Sequence, residues 1–361
     1  MGRMEPLPPP LPAPEPSLDL SGFTLGHGTD LAGKTGVTVI LCPAGALAAA
    51  EVRGSATGTR QFDSLVLGHH VASRAHAVVL AGGSAFGLAA AEPVVDWLAE
   101  RGHGFAVGPP GPPVVPLVPT AILFDLGFGD PAARPTAALA AEAVAAAAAA
   151  TTGGGAVAVG SVGAGTGATV GKARGLDCAM KGGFGFARLS VPDGPSVAAA
   201  VAVNAFGDVR DPFDPAAAPG PGGLVAACRA APDRLDLVGA ERTLAALPSD
   251  FAHAWEGNTT LAVVMTDAVL TKASALKVCQ MAFGGLYRTL APALSLYDGD
   301  LVVTLSSGAV RAHVNQVGVL AEHAVARAIL AAVRAADGFG LLPAVRDLPA
   351  VRGASRPPAP G

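Results

Sequence analysis

The sequence predicts an α+β protein with helices layered over sheet, and three observations carry that prediction. β-Branched or apolar runs alternate with glycine turns, and segments with apolar residues at helical spacing fall between them. Hydrophobic residues make up 51% of a 361-residue chain in which 14% of residues are charged, a composition that buries a core and excludes a disordered chain. The 47 glycines cluster between apolar runs without a G-X-Y period, which excludes a collagen-like chain.

Residues 1–17 are rich in proline and short of amide donors, so they are expected to form a disordered tail. One domain is expected over 18–351, followed by a second disordered tail at 352–361. Strands are predicted at 37–41 and 77–80, and a helix at 85–101 after the turn G-G-S-A-F-G. The alanine-dominated helix predicted at 137–150 contains Glu142 and is shorter than the ~20 residues a bilayer crossing needs. Strands follow at 156–159 and 197–203, then a Pro- and Gly-rich surface loop at 211–223. A second loop-like approach, 248–257, leads into G-N-T-T at 257–260 and a strand at 261–265. Leu276, Cys279, Phe283, Leu286 and Leu290 mark a helix over 272–290, a strand is predicted at 301–305, and a helix over 313–336 stops at Gly338.

The net charge of -4, with no basic stripe, points away from nucleic acid and from an anionic membrane, toward a small, weakly charged substrate. The four cysteines form no C-x-x-C pair and are expected as buried free thiols. His69, His70 and His76 lack metal-ligand spacing, so no metal is expected. G-A-G-T-G-A-T-V-G-K-A departs from a phosphate loop at its glycine spacing and at Ala173, so no nucleotide is expected and no cofactor is assigned. Ser84 in G-G-S-A-F-G misses the nucleophile elbow; the block reads either as close packing or as backbone amides for a substrate carboxylate. Prolines interrupt any secretory core at the N-terminus, so a cytoplasmic location is expected.

The chemistry centres on Thr259. A threonine at a chain N-terminus unites a hydroxyl with an α-amino group of pKa about 7.7–8.0, a base at neutral pH. To become N-terminal here, its hydroxyl must attack the carbonyl of Asn258, and Gly257 loosens the backbone just ahead. N-T-T before a strand is equally an ordinary turn-to-strand junction. Asp298 and Asp300 flank Gly299 and share a face if extended, where two carboxylates cannot both ionise freely; D-G is also a favoured hairpin turn. By themselves Asn204, before F-G-D, reads as a turn residue and Lys172 as a surface lysine.

Seven ordered blocks resemble the β-aminopeptidase and D-aminopeptidase/esterase family of the DmpA type, in the branch that includes nylon-oligomer hydrolases. They are G-H-G-T-D at 26–30, V-R-G-S-A-T-G-T-R at 52–60, G-G-S-A-F-G-L-A-A-A at 82–91, V-G-A-G-T-G-A-T-V-G-K at 162–172, K-G-G-F-G at 181–185, G-N-T-T-L-A-V-V-M-T-D-A at 257–268 and D-G-D at 298–300. The resemblance implies a four-layer α-β-β-α sandwich like that of N-terminal-nucleophile hydrolases, with different connectivity. It implies self-cleavage between Asn258 and Thr259, giving an α-chain to 258 and a β-chain from 259. It implies that Thr259 is the nucleophile, that Asn204 binds the oxyanion, that Asp298 and Asp300 orient the threonine, and that Lys172 lies near it. A serine stands at the position of Asp298 in the family's serine branch, so the aspartate pair marks a threonine type. The implied activity is hydrolysis of a small peptide or amide by a homo-oligomer of αβ units, a homotetramer in the family, without cofactor. An ornithine-acetyltransferase-like acyltransferase and a non-catalytic scaffold are the alternatives.

Overall fold

A computed structural model describes residues 10–108, 113–151, 155–247 and 257–349. The expected tail at 352–361 and nearly all of the approach at 248–257 lie outside the described residues. The principal strands are β1 (Thr24–Asp30), β2 (Thr35–Val52), β3 (Arg74–Ala81), β4 (Thr120–Ile122), β5 (Gly183–Ser190), β6 (Ser196–Asn204), β7 (Thr259–Ala268) and β8 (Leu301–Val310). The principal helices are α1 (Ala91–Glu100), α2 (Ala137–Ala149), α3 (Lys272–Thr289) and α4 (Val314–Ala335).

Among the described residues, nine strands join into one sheet, which β2 folds into two leaves. Residues 35–41 of β2 pair with β1 and β3, whereas residues 47–52 pair with β8. The register breaks between Leu41 and Ala46, where Pro43 removes an amide donor and Gly45 adopts φ +80. One leaf runs β5-β6-β7-β8-β2, and the other holds β1, β2, β3 and β4.

Side-chain alternation shows what each leaf covers. Along β7, Leu261, Val263 and Met265 enter a core shared with Ile40, Val78 and Leu80 of the second leaf. Ala262 and Val264 point the other way, onto Cys279 and Phe283 of α3 and Val325 and Ile329 of α4. Val37, Val39 and Val79 on the far side of the second leaf pack on Val94 of α1 and Val144 of α2. The order helix, leaf, leaf, helix is the four-layer sandwich that the resemblance implied. The glycine blocks permit its tight helix-on-sheet contacts: a Cβ on Gly28 would stand 2.1 Å from Leu139 O, and one on Gly185 1.8 Å from Ala328 O. Helix α4 has the length and hydropathy to cross a bilayer, but 67% of its most apolar window is buried inside the fold.

Three expectations are corrected. The run 156–159 makes only an isolated bridge at Ala156, because it passes through glycine-rich turns without a partner strand beside it. The helix over 85–101 begins as a 3-10 segment, Ser84–Ala90, before α1. Part of the tail expected as disordered over 1–17 is bound to the fold: Glu15 exchanges backbone hydrogen bonds with Arg188 at 2.8 and 2.9 Å, and the Arg188 guanidinium donates to Ser17 O and Asp19 O. A buried guanidinium that needs acceptors holds this segment in place.

Candidate active site

Strand direction assembles the site. β7 and β8 run parallel and β6 runs antiparallel to β7, so the start of β7, the start of β8 and the end of β6 meet at one end of the sheet. Thr259 opens β7 and stands opposite Asn204, the last residue of β6. The turn Asp298–Asp300 leads into β8 and bridges to Asn258 through Asp298. All five side chains singled out in the sequence, Thr259, Asn204, Asp298, Asp300 and Lys172, are buried together here.

Two donors converge on the carbonyl oxygen of Asn258. The Thr259 hydroxyl donates to it, and the Gly299 amide donates to it at 2.8 Å. Only glycine fits at 299, since a Cβ would lie 2.7 Å from Thr259 Oγ1 and 2.6 Å from Ala56 O. The V-R-G-S-A-T-G-T-R block backs this turn: Gly54 N donates to Asp300 O at 2.9 Å and Ala56 N to Asp298 O at 3.0 Å. A hydroxyl therefore stands against the neighbouring carbonyl oxygen, and a fixed N–H points at the same oxygen, the arrangement that attack on that carbonyl would need.

Asn204 has an assigned orientation, because its two ends meet opposite partners. Oδ1 accepts from Thr169 N at 2.9 Å and from Lys172 Nζ at 3.0 Å, while Nδ2 donates to Phe124 O at 2.8 Å and Gly257 O at 3.3 Å. In the uncleaved chain the amide donor thus lies one residue short of the Asn258 carbonyl. Lys172 is not a surface lysine: it is buried, and Nζ also donates to Asn204 O at 3.0 Å.

The carboxylates bind the backbone around Thr259 without a hydrogen bond to Thr259 itself among those described. Asp300 accepts from Thr260 N at 2.6 Å and Leu294 N at 3.2 Å, so in the intact chain it orients the residue after the threonine. Asp298 accepts from Phe206 N at 3.0 Å, Ser295 N at 3.0 Å and Ser295 Oγ at 2.5 Å. Burial, and then the charge of Asp298, push the Asp300 carboxyl up to about 8. Burial also raises Asp298, but the Ser295 hydroxyl, the Phe206 amide and the Lys172 charge pull it back. Both carboxyls are thus held above the ordinary carboxylate range, and the two titrate as a pair.

The groups that sequence reasoning missed are main-chain ones: the Gly299 and Thr169 amides and the Phe124 carbonyl. No residue type announces a backbone donor, although the glycine between two acids was a signal. Three amides of G-G-S-A-F-G bind within the fold, Gly82 N on Gly36 O at 2.9 Å, Gly83 N on Asp125 Oδ1 at 2.6 Å and Ser84 N on Leu123 O at 3.0 Å, in keeping with the close-packing reading of the block. The cleft beside Gly257 measures about 30 Å³, room for about one water, because the chain fills its own site: a Cβ on Gly257 would lie 2.4 Å from Phe124 Cβ. Roomier clefts, of about 720 Å³ beside Arg174 and about 510 Å³ beside His27, lie away from Thr259.

Comparison with known proteins bears on the family and the fold. The model of peptidase family S58 matches residues 18–340. An uncharacterized aminopeptidase of Mycobacterium leprae is 38% identical over 353 residues, covering 90% of this chain and 91% of that protein. A 6-aminohexanoate-oligomer endohydrolase of Paenarthrobacter ureafaciens is 34% identical over 157 residues, 43% of this chain and 38% of that protein. The structure of the L-aminopeptidase D-Ala-esterase/amidase of Ochrobactrum anthropi, a variant of the Ntn-hydrolase fold, superposes with a TM-score of 0.65 at 17% identity, covering 91% of this chain and 88% of that one. At that identity it speaks for the fold.

Proposed function

The chain belongs to peptidase family S58 and is an amide-bond hydrolase, and we propose that it cuts itself before Thr259 and works through that threonine as an N-terminal nucleophile. The convergence of the Thr259 hydroxyl and the Gly299 amide on the Asn258 carbonyl supports this reading most directly.

In the first step the Thr259 oxygen attacks the Asn258 carbonyl carbon, and the Gly299 N–H holds the oxygen as it gains charge. The C–N bond breaks as its nitrogen gains a proton, leaving Asn258 as an ester on Thr259. Water hydrolyses the ester, which yields an Asn258 carboxylate and a free Thr259 amine and hydroxyl. The amine, with its pKa of about 7.7–8.0, then takes the hydroxyl proton as the oxygen attacks a substrate amide. Once Gly257 withdraws, Asn204 Nδ2 is released to join Gly299 N on the substrate oxyanion. The amine returns its proton to the leaving group, and water releases the acyl-enzyme. Asp300 orients the backbone after Thr259, and Lys172 acts through its grip on Asn204.

The names of the relatives suggest the substrate class: the N-terminal residue of a short peptide, or the units of an aliphatic oligoamide. Denaturing gels and N-terminal sequencing test the first step. Wild type is expected as two chains, one starting at Thr259, and Thr259→Ala as one inactive chain. A single active wild-type chain starting only at Met1 rules the reading out.

A further inference from the structure

Besides Lys172, a second lysine is sealed at this end of the sheet. Lys181 is fully buried, and its ammonium donates to Ala168 O at 2.6 Å, Gly165 O at 3.0 Å and Gly182 O at 3.1 Å. Asp125 is the stronger of the two acids that act on it, the other being Asp337. The buried Asp125 carboxylate accepts from Gly83 N at 2.6 Å and from Thr35 Oγ1 at 2.7 Å. The loop 165–168 that receives the Lys181 ammonium rests against Asp125, since a Cβ on Gly167 would stand 2.6 Å from Asp125 Cβ.

Each residue anchors a peptide group whose other end holds Asn204, Lys181 by donating to its carbonyl and Asp125 by tying its own backbone to Gly83 and Thr35. The Ala168 carbonyl that receives the Lys181 ammonium shares its peptide plane with Thr169 N–H, the donor to Asn204 Oδ1. The Phe124 carbonyl that receives Asn204 Nδ2 shares its plane with the amide of Asp125. Through these two planes, one on each side, Lys181 and the anchored Asp125 set where the Asn204 amide points. We propose that Lys181 and Asp125 are positioning residues that clamp Asn204 in the orientation its oxyanion role requires. The clamp rests on the hydrolase reading above. Burial pushes the Lys181 ammonium down to about 7 and the Asp125 carboxyl up; the Asp125 charge works against the first shift, and the Gly83 and Thr35 hydrogen bonds, with the Lys181 charge, against the second.

The test measures processing, melting, kcat and KM for wild type, Thr259→Ala, Lys181→Met, Asp125→Asn and Asn204→Ala, and for Lys181→Met and Asp125→Asn each combined with Asn204→Ala. The probe is whichever aminoacyl p-nitroanilide or 6-aminohexanoate oligomer the wild type turns over fastest. Lys181→Met and Asp125→Asn are expected to lower kcat about 10- to 100-fold with KM within about twofold of wild type. In the Asn204→Ala background each is expected to cost less than about twofold, because a positioning residue has nothing left to position. Wild-type kcat in the single variants, or the same loss with and without Asn204, overturns the clamp. Should Lys181→Met not fold, the near-isosteric Asp125→Asn decides by the same criteria. Processed wild type that hydrolyses no probe, or an active Thr259→Ala, defeats the hydrolase reading itself and the clamp with it.

Discussion

At Thr259 the space above Gly299 is already taken by the nucleophile, so a single methyl group there moves either the hydroxyl or the amide that faces it. Gly299→Ala is expected to slow self-cleavage by about 100-fold, the scale of losing one oxyanion donor, as followed by the rate at which the intact band disappears on a denaturing gel. Cleavage at the wild-type rate would show that the turn has no part in the reaction. Asp300 carries a second prediction. Folded, it stays protonated up to about pH 8, whereas unfolded it ionises near 3.9. Between these values the folded state binds the extra proton, so this contribution is intact below about pH 4 and stability falls as pH rises toward 8. In the single-chain Thr259→Ala background, Asp300→Asn is expected to flatten that decline in a series of melting temperatures. Equal slopes with and without the carboxyl would place the proton elsewhere.

The elements explain why these residues meet. β7 lies between an antiparallel and a parallel neighbour, and that combination alone brings the end of β6 and the entry to β8 beside its first residue. Because β7 is buried on both faces, side chains on either face are expected to matter. Leu261→Ala, in the core between the leaves, is expected to cost about 2–5 kcal/mol in urea unfolding of the uncleaved chain. Gly185 makes the same point for helix packing, since a side chain there would run into the Ala328 carbonyl of α4. Gly185→Ala is expected to cost about 1–3 kcal/mol in the same measurement. A smaller effect than that would mean α4 slides freely on β5.

For the whole molecule, cutting before Thr259 frees the head of a strand that hydrogen-bonds on both sides and sits in the middle of four layers. The two chains are therefore expected to stay together: gel filtration should give one peak containing both, and only denaturant should separate them. Separation in native buffer would contradict the central position of β7. Assembly into a homo-oligomer of such pairs is our proposal, and light scattering of processed protein gives its copy number directly.

How much of this was legible in the sequence follows from the range of the interactions. The strands at 37–41, 77–80, 197–203, 261–265 and 301–305 and the helices at 137–150, 272–290 and 313–336 were readable because burial imprints a period of two or 3.6 on a continuous run. The run 156–159 had the same imprint, but no strand lies beside it to complete the pairing. The chemistry of Thr259 and the acid pair could be named because hydroxyl, amine and carboxyl belong to residue types. Folding of β2 at Pro43 and Gly45, the assembly of three strand ends and the backbone groups on Asn258 and Asn204 were decided by tertiary structure alone. Each depends on which distant segments pair, and a peptide N–H or C=O is the same in every residue until the fold points it somewhere.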